Sequence, residues 1–167
     1  MFSWTSRETA VPHMNPSLWR TAIHEAGHAV IASRLNVCGR VTIVPDLSKG
    51  YFGRCGIPFN EEKISCFIAA MMAGALAEEE FFGELAGDDC RDRRDMSYII
   101  SAARYHRKGF DCLPRLRPAC CRLVRRHRAA IERVAEALLQ RGTLEPNEVD
   151  QLIELAAAMG DVRPVLP

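Results

Sequence analysis

His24, Glu25 and His28 form the motif His-Glu-Ala-Gly-His inside the mostly apolar stretch "WRTAIHEAGHAVIA". Two histidines four residues apart lie on one face of a helix, so both imidazoles can reach one tetrahedral zinc ion. The glutamate is turned by about 100° from the first histidine, which brings its carboxylate near the metal without making it a ligand. Such a carboxylate can act as general base toward a water molecule that the metal acidifies. The motif predicts a hydrolytic zinc site.

The competing interpretation is a pair of core histidines satisfied by hydrogen bonds. It accounts poorly for Glu25, because a buried carboxylate without a partner is costly. Chance alone gives about 0.01 such motifs in a chain of this composition. Gly27 lowers helix propensity by up to about 1 kcal/mol, which indicates close packing or a tight site at this turn. We therefore prefer the zinc interpretation.

The composition is that of one globular domain. The chain has 167 residues, 48% of them hydrophobic, and a net charge of +1, so bulk charge does not indicate a nucleic-acid partner. The longest apolar run, residues 64–77, is shorter than the roughly 18 residues of a membrane span and predicts a buried helix. Seven cysteines without a C-x-x-C pair, and an N-terminus unlike a signal peptide, predict a reduced, cytoplasmic chain.

The elements that must position the motif are predicted from periodicity and turn signals. Residues 15–35 predict a helix that opens with an asparagine–proline pair. Residues 40–58 combine strand formers with turn residues and predict a β-hairpin or the start of a small sheet. Residues 60–82 predict a second helix that ends at Gly83.

The second half of the chain is predicted to be helical and more irregular. We expect a polar loop over residues 84–95 and a third helix over about 92–106. The two prolines of residues 107–120 predict irregular structure there. An amphipathic helix is expected over 121–140, and a short final helix over 145–159.

The predicted fold is therefore mainly α with a small β-hairpin or sheet (α+β), as one domain over residues 1–167. Within it we expect a zinc-site part, 18–106, with a zincin-like motif helix, and a C-terminal helical part, 107–167. Residues 104–128 are rich in arginine and contain a single aspartate. They show no aromatic interleaving, so we interpret them as a solvated or partner-docking face and expect no nucleic-acid partner.

The source of the third zinc ligand defines the class of the site. A metzincin needs glycine and histidine at the third and sixth positions after the second histidine, and those positions hold Ile31 and Arg34. A glutamate from the following helix is available among residues 78–80. An aspartate is the other option, and the residues alone leave these two open.

Five segments in order carry a resemblance to a known family. They are "HEAGHAVIA", "VTIVP…GYFGRCGIP", "AGALAEEEFFGE", "RDMSYIISAAR" and "IERVAEALLQRGTLEPNEVDQLIE". Together they resemble the protease domain of FtsH-type ATP-dependent zinc metalloproteases, over residues from about 19 to 155. The resemblance implies that His24 and His28 bind zinc and that Glu25 is the general base.

The resemblance also implies an aspartate ligand, which is Asp95 in the matching stretch "RDM". The family has asparagine before that aspartate where this chain has arginine, and the preceding loop is longer here. Asp95 lies four residues before Ile99 and so shares the apolar face of the third predicted helix. Asp92, Asp89 and Asp88 remain alternatives.

Glu78 follows "ALA" in an apolar stripe, so we expect its carboxylate to orient a histidine from behind the zinc ligands. Glu79 and Glu80 are interpreted as a solvated helix end. The hairpin at 40–58 either offers a strand edge to an extended peptide or is simply core sheet.

The leading hypothesis is a zinc-dependent metalloendopeptidase that hydrolyses peptide bonds in unfolded or flexible polypeptides. The alternative is a non-catalytic, zinc-stabilised binding or regulatory module derived from a peptidase. The sequence has no G-x-x-x-x-G-K-[ST] phosphate loop, so we expect no ATPase module in this chain. A separate ATPase or unfoldase chain is then the candidate partner besides the polypeptide substrate, and homo-oligomerisation is left open.

Overall fold

The fold is mainly helical with a small antiparallel sheet, as expected from the sequence. The computed structural model describes residues 16–83, 101 and 113–160. Its helices within those residues are α1 Pro16–Arg34, α2 Ile64–Phe82, α3 Leu113–Arg126, α4 Arg128–Arg141 and α5 Pro146–Gly160. Its strands there are β1 Val41–Thr42, β2 Arg54–Cys55 and β3 Thr143–Leu144.

Helices α1 and α2 pack closely against each other, and Gly27 makes this possible. A Cβ at Gly27 would lie 2.6 Å from Cβ of Ala77 and 2.8 Å from the carbonyl oxygen of Ala73. Only a glycine that faces small residues allows the two helix backbones to approach each other so closely. The polar motif of α1 is thereby brought directly against α2.

The sheet has the order β2-β1-β3, with β1 in the middle. Val41 of β1 is opposite Cys55 of β2 on one side and Leu144 of β3 on the other, both antiparallel. The β1–β2 pair is the hairpin expected over residues 40–58. Strand β3 was not predicted, because a two-residue strand is too short to show an alternating pattern.

The ends of α2 follow from local hydrogen bonds. The side chain of Asn60 accepts a bond of 2.8 Å from the backbone N–H of Glu62 and opens a single 3₁₀ turn, Glu61–Lys63. At the other end Gly83 adopts φ 74° and donates 3.0 Å to the carbonyl of Glu79. Both ends confirm the predicted limits of the second helix.

Irregular structure was predicted over residues 107–120. That prediction is wrong from residue 113 onward. Helix α3 begins at Leu113 and contains Pro118. A proline inside a helix removes one N–H donor and strains the turn before it. The helix persists because it buries Cys120 and Val124, each 1% exposed, in the main core.

The prediction of a single helix over residues 121–140 is also wrong, because this region belongs to two helices, α3 and α4, that meet at His127. Hydrogen bonds continue across the junction, from His127 N–H to Leu123 and from Ile131 N–H to His127, each 2.9 Å. His127 itself departs from helical geometry, with φ −102° and ψ 17°. Helix α3 packs mainly on α2, whereas α4 packs mainly on α1.

The final helix, α5, matches the helix expected over 145–159. Pro146 occupies its first position, and the Glu148 carboxylate accepts 2.8 Å from the backbone N–H of Glu145, as in a capping box. A hydrogen bond from Ser33 to Asp150 ties α5 to the end of α1.

The loop and third helix expected over residues 84–106 lie outside the described residues except for Ser101, which is helical. None of the helices described combines the length and apolar character needed to cross a bilayer.

Candidate metal centre

His24 and His28 project from α1 toward α2 with their Nε2 atoms 3.0 Å apart. Their ring centroids are 4.7 Å apart and the ring planes are inclined by 77°. Both residues are buried, with 9% and 4% of their surface exposed. The i, i+4 spacing therefore brings the two imidazoles together at one point.

The other ring nitrogens of the two histidines have acceptors on α2. Nδ1 of His24 is 2.7 Å from the Glu78 carboxylate, and Nδ1 of His28 is 2.7 Å from the carbonyl oxygen of Ala70. A carbonyl or an ionised carboxylate can only accept, so each Nδ1 carries a proton and donates it. The N–H of Gly74 also approaches Nδ1 of His28, at 3.3 Å, but the much shorter distance to the Ala70 carbonyl, 2.7 Å, assigns the proton to Nδ1. In the neutral rings, each Nε2 is left with its lone pair.

This arrangement fits a zinc ion. Two lone pairs facing each other at 3.0 Å attract only when a proton or a metal cation lies between them. Two nitrogen ligands of a tetrahedral zinc, each at about 2.0–2.1 Å, are about 3.3 Å apart, close to the spacing found. Zinc-binding histidines almost always donate their other N–H to a carboxylate or a backbone carbonyl, as both rings do here.

Gly74 provides the space in front of the two Nε2 atoms. A Cβ at this position would collide with Nε2 of His28 and lie 2.7 Å from Nε2 of His24. Gly74 was not among the residues predicted for the site. The available signal was its place in a run of small residues, "AGALA", on the helix that follows the motif.

Glu78 lies behind His24. It is 5% exposed, and one carboxylate oxygen contacts Nδ1 of His24 while the other is 3.4 Å from Nε of Arg20. The Arg20 guanidinium in turn lies 4.7 Å from the centre of the Phe82 ring. Arg20 was not predicted to belong to the site, because a single arginine one turn before the motif forms no recognisable pattern.

The glutamates of residues 78–80 do not face the Nε2 atoms. Glu78 contacts the opposite edge of the His24 ring. Glu79 pairs with Arg117 at 2.7 Å, and Glu80 pairs with Arg125 at 3.1 Å. These contacts give no support to a glutamate as third ligand. They also show that arginines of α3 form ion pairs with Glu79 and Glu80 at the end of α2. These two glutamates were expected to be solvated only.

Glu25 is buried, with 7% of its surface exposed, and lies against the segment that leads into β2. A Cβ at Gly53 would be 2.7 Å from Oε1 of Glu25 and 3.0 Å from the Thr21 methyl group. Only a glycine allows the hairpin to approach the carboxylate so closely. The edge strand of the sheet therefore begins next to Glu25.

The aspartates considered as third ligands, Asp95, Asp92, Asp89 and Asp88, lie outside the described residues. Among the residues that are described, no group of three or more His, Cys, Asp or Glu side chains could hold a metal ion. The described part of the site thus consists of the two imidazoles, the Glu78 carboxylate behind one of them, and Glu25.

Comparisons with known proteins show a similarity to a zinc metalloprotease. No protein-family model matches the chain. The chain is 24% identical to the ATP-dependent zinc metalloprotease FtsH 2 of Sphaerobacter thermophilus over an alignment of 189 positions, gaps included. The match covers 86% of this chain and 28% of that protein. The chain thus spans little more than a quarter of the length of this relative. The match indicates an FtsH-related region and is a coarse indication of peptidase function.

Proposed function

We propose that the chain is a zinc-dependent metalloendopeptidase that hydrolyses unfolded or flexible polypeptides. One observation carries the proposal. The Nε2 atoms of His24 and His28 converge at 3.0 Å while both Nδ1 atoms donate to acceptors on α2. A pair of core histidines does not need this arrangement, whereas two zinc ligands do.

In this proposal His24 and His28 bind the zinc ion through Nε2, and Asp95 is the third ligand. The aspartate rests on the resemblance of "RDM" to the family motif, with Asp92, Asp89 and Asp88 as alternatives. Three protein ligands would leave one coordination position open, as in other catalytic zinc sites. A zinc ion bound there would polarise the scissile carbonyl and acidify a water molecule.

Glu25 is the proposed general base. It directly follows His24 in α1 and is largely shielded from solvent by the Gly53 segment. Its carboxylate would take a proton from the attacking water and pass it to the leaving amine. Glu78 would hold the His24 ring in place through the bond to Nδ1.

The substrate would bind as an extended strand along β2. Strand β1 is paired on both sides, so β2, which lies next to Glu25, is an edge strand within the described part of the chain. Strand addition requires an extended segment, which folded proteins rarely present, and this favours unfolded or flexible substrates. The name of the FtsH 2 relative supports a further proposal, that a separate ATPase chain delivers such substrates.

The test compares the wild type with Glu25→Gln, which keeps the shape of the side chain but cannot act as a base. Zinc content is measured by elemental analysis and peptidase activity on a casein substrate. We expect unchanged zinc and a loss of activity of about 10²–10⁴-fold. Glu79→Gln, an exposed position, is the matched control and should retain both.

Activity that survives in Glu25→Gln would contradict the mechanism. A wild type that binds zinc stoichiometrically but cleaves no substrate would instead favour the non-catalytic, zinc-stabilised module. A wild type that binds no zinc would overturn both interpretations.

A further inference from the structure

Two exposed side chains lie beside the edge of the sheet at which the substrate is proposed to bind. Phe52 is 70% exposed, and Arg54, the first residue of β2, is exposed as well. Within the described part of the chain Arg54 has no carboxylate partner, whereas Arg40, near the start of β1, pairs with Glu145 at 2.7 Å. The edge thus presents an aromatic ring and an unpaired positive charge to solvent.

The register of the sheet places Arg54 on its outer face. Arg54 is opposite Thr42 of β1, and Cys55 is opposite Val41. Val41 is completely buried and belongs to the core, while Thr42 is only half-buried. Residues opposite each other point to the same side of a sheet, so Arg54 shares the outer face with Thr42.

Phe52 points to the same outer face. The residue between it and Arg54 is Gly53, which faces inward, because a Cβ there would lie 2.7 Å from Oε1 of Glu25. Successive residues of an extended chain alternate between the two faces. The inward side of Gly53 therefore turns Phe52 outward, in agreement with its large exposed fraction.

We propose that the chain selects substrates in which a large apolar residue and an acidic residue stand two positions apart. The inference rests on the proposed function, which places the substrate strand along β2. Residues directly opposite each other on paired strands contact through their side chains. One outward substrate residue therefore packs against the Phe52 ring, and the other, a carboxylate, pairs with the Arg54 guanidinium. The residue between these two is opposite Gly53 and points inward, toward Glu25.

The two contacts set specificity and take no part in the chemistry. Cross-strand pairs of apolar side chains or of opposite charges each strengthen binding by about 2–5-fold, and like charges weaken it. Both contacts lie on the face away from Glu25, so the bound substrate and the transition state make them equally. Their loss should raise KM and leave kcat unchanged.

The direction of the added strand decides the order of the two substrate residues. Phe52 precedes Arg54 in the chain. An antiparallel substrate would therefore present its acidic residue first, and a parallel substrate its apolar residue first. Two short unstructured peptides, one centred on Asp-Ala-Leu and the other on Leu-Ala-Asp, cover both directions.

The experiment measures the binding of these fluorescein-labelled peptides by fluorescence anisotropy. The protein is the full chain as the zinc-loaded Glu25→Gln variant, so that a bound peptide is not cleaved. We expect one of the two peptides to bind about 2–5-fold more tightly than its versions with lysine in place of aspartate or alanine in place of leucine. The preference for aspartate should fade at about 1 M salt, because salt screens exposed charges, and the preference for leucine should persist.

Substitutions in the same background separate the two contacts. Arg54→Glu should reverse the charge preference, so that the lysine peptide binds more tightly than the aspartate peptide. Phe52→Ser should remove the preference for leucine and keep the preference for aspartate. Leu155→Ser and Arg122→Glu change exposed residues of α5 and α3, and should bind all the peptides as the parent protein does.

Equal affinities for the aspartate and lysine peptides, an unchanged preference in Arg54→Glu, or no binding of any peptide would overturn the inference. An arginine that only discourages association between sheet edges would give the first two of these results. Casein cleavage by the wild type tests the proposed function separately. Cleavage without any preference contradicts the inference alone, whereas the expected preference without cleavage contradicts the peptidase function and leaves the peptide-binding edge in place.

Discussion

The carboxylate of Glu78 in α2 accepts a hydrogen bond of 2.7 Å from Nδ1 of His24 in α1. The bond crosses the interface between the two helices and selects the tautomer in which Nε2 of His24 carries the lone pair. A second contact, 3.4 Å from Nε of Arg20, pairs the carboxylate with a guanidinium on the same helix as the histidine. The helix pair thus sets the chemistry of the histidine as well as its position.

Glu78→Gln should weaken zinc binding by about 10-fold or more, because a neutral amide is a poorer partner for the N–H of a metal-bound imidazole. Zinc affinity is measured by competition with a chelator of known strength. Glu79→Gln is the matched control, since Glu79 pairs with the exposed Arg117. Equal affinities for the two variants would contradict the orienting role of Glu78.

Gly74→Ala should abolish or strongly reduce zinc binding while the helices remain folded. The added methyl group would overlap the space in front of both Nε2 atoms, so a ring must move. Zinc content and far-ultraviolet circular dichroism are measured together. Ala75→Gly, the next position of α2, is the control and should retain zinc with a loss of helix stability of about 1 kcal/mol. Full zinc content in Gly74→Ala would show that the ion is not bound at this point.

Asp95→Asn should lose zinc if Asp95 is the third ligand. An amide oxygen is a much weaker zinc ligand than a carboxylate, so bound metal should fall well below one equivalent. Asp92→Asn is the closest control, because Asp92 is the nearest alternative on the third predicted helix. The opposite result, with zinc lost only in Asp92→Asn, would transfer the ligand role to Asp92.

Cys120 should make stability depend on alkaline pH. Burial raises the pKa of its thiol from 9.0 to about 12, and its S–H donates to the carbonyl of Ala69. As the pH rises, the unfolded chain therefore loses this proton at a lower pH than the folded chain does. The contribution of Cys120 to folding stability is complete below about pH 9 and is lost as the pH rises toward 12. Chemical unfolding of wild type and Cys120→Ala between pH 8 and about 11 measures the difference.

The stability of the wild type relative to Cys120→Ala should fall across that range. The same burial predicts that iodoacetamide does not label Cys120 in the folded protein near neutral pH. A constant difference between the two proteins, or rapid labelling of Cys120, would contradict the assignment.

The elements that could be predicted are those with strong local signals. Asn60 and Gly83 fix the ends of the second helix by hydrogen bonds to residues a few positions away, and α5 begins at Pro146 for the same kind of reason. Longer-range effects caused the errors. Pro118 suggested a break, but the burial of Cys120 and Val124 in the core maintains the helix around it.

The candidate site divides in a similar way. The identity and spacing of His24, Glu25 and His28 are local properties of one helix, and they sufficed to predict a zinc site. The choice of Asp95, the division of the chain at residue 107 and the peptidase activity stay predictions. The partners of the motif come from elements far away in the chain, so no local pattern could reveal their geometry.

The sequence by itself determined the motif, the helix that carries it and the mainly α composition of the fold, because these depend on side-chain type and short-range spacing. Only the tertiary structure decided that Ala70 and Glu78 engage the two Nδ1 atoms, that Gly74 leaves room before Nε2, and that Gly53 lies against Glu25. These contacts depend on how closely α2 and the hairpin approach α1. That approach is set by the packing of the whole core.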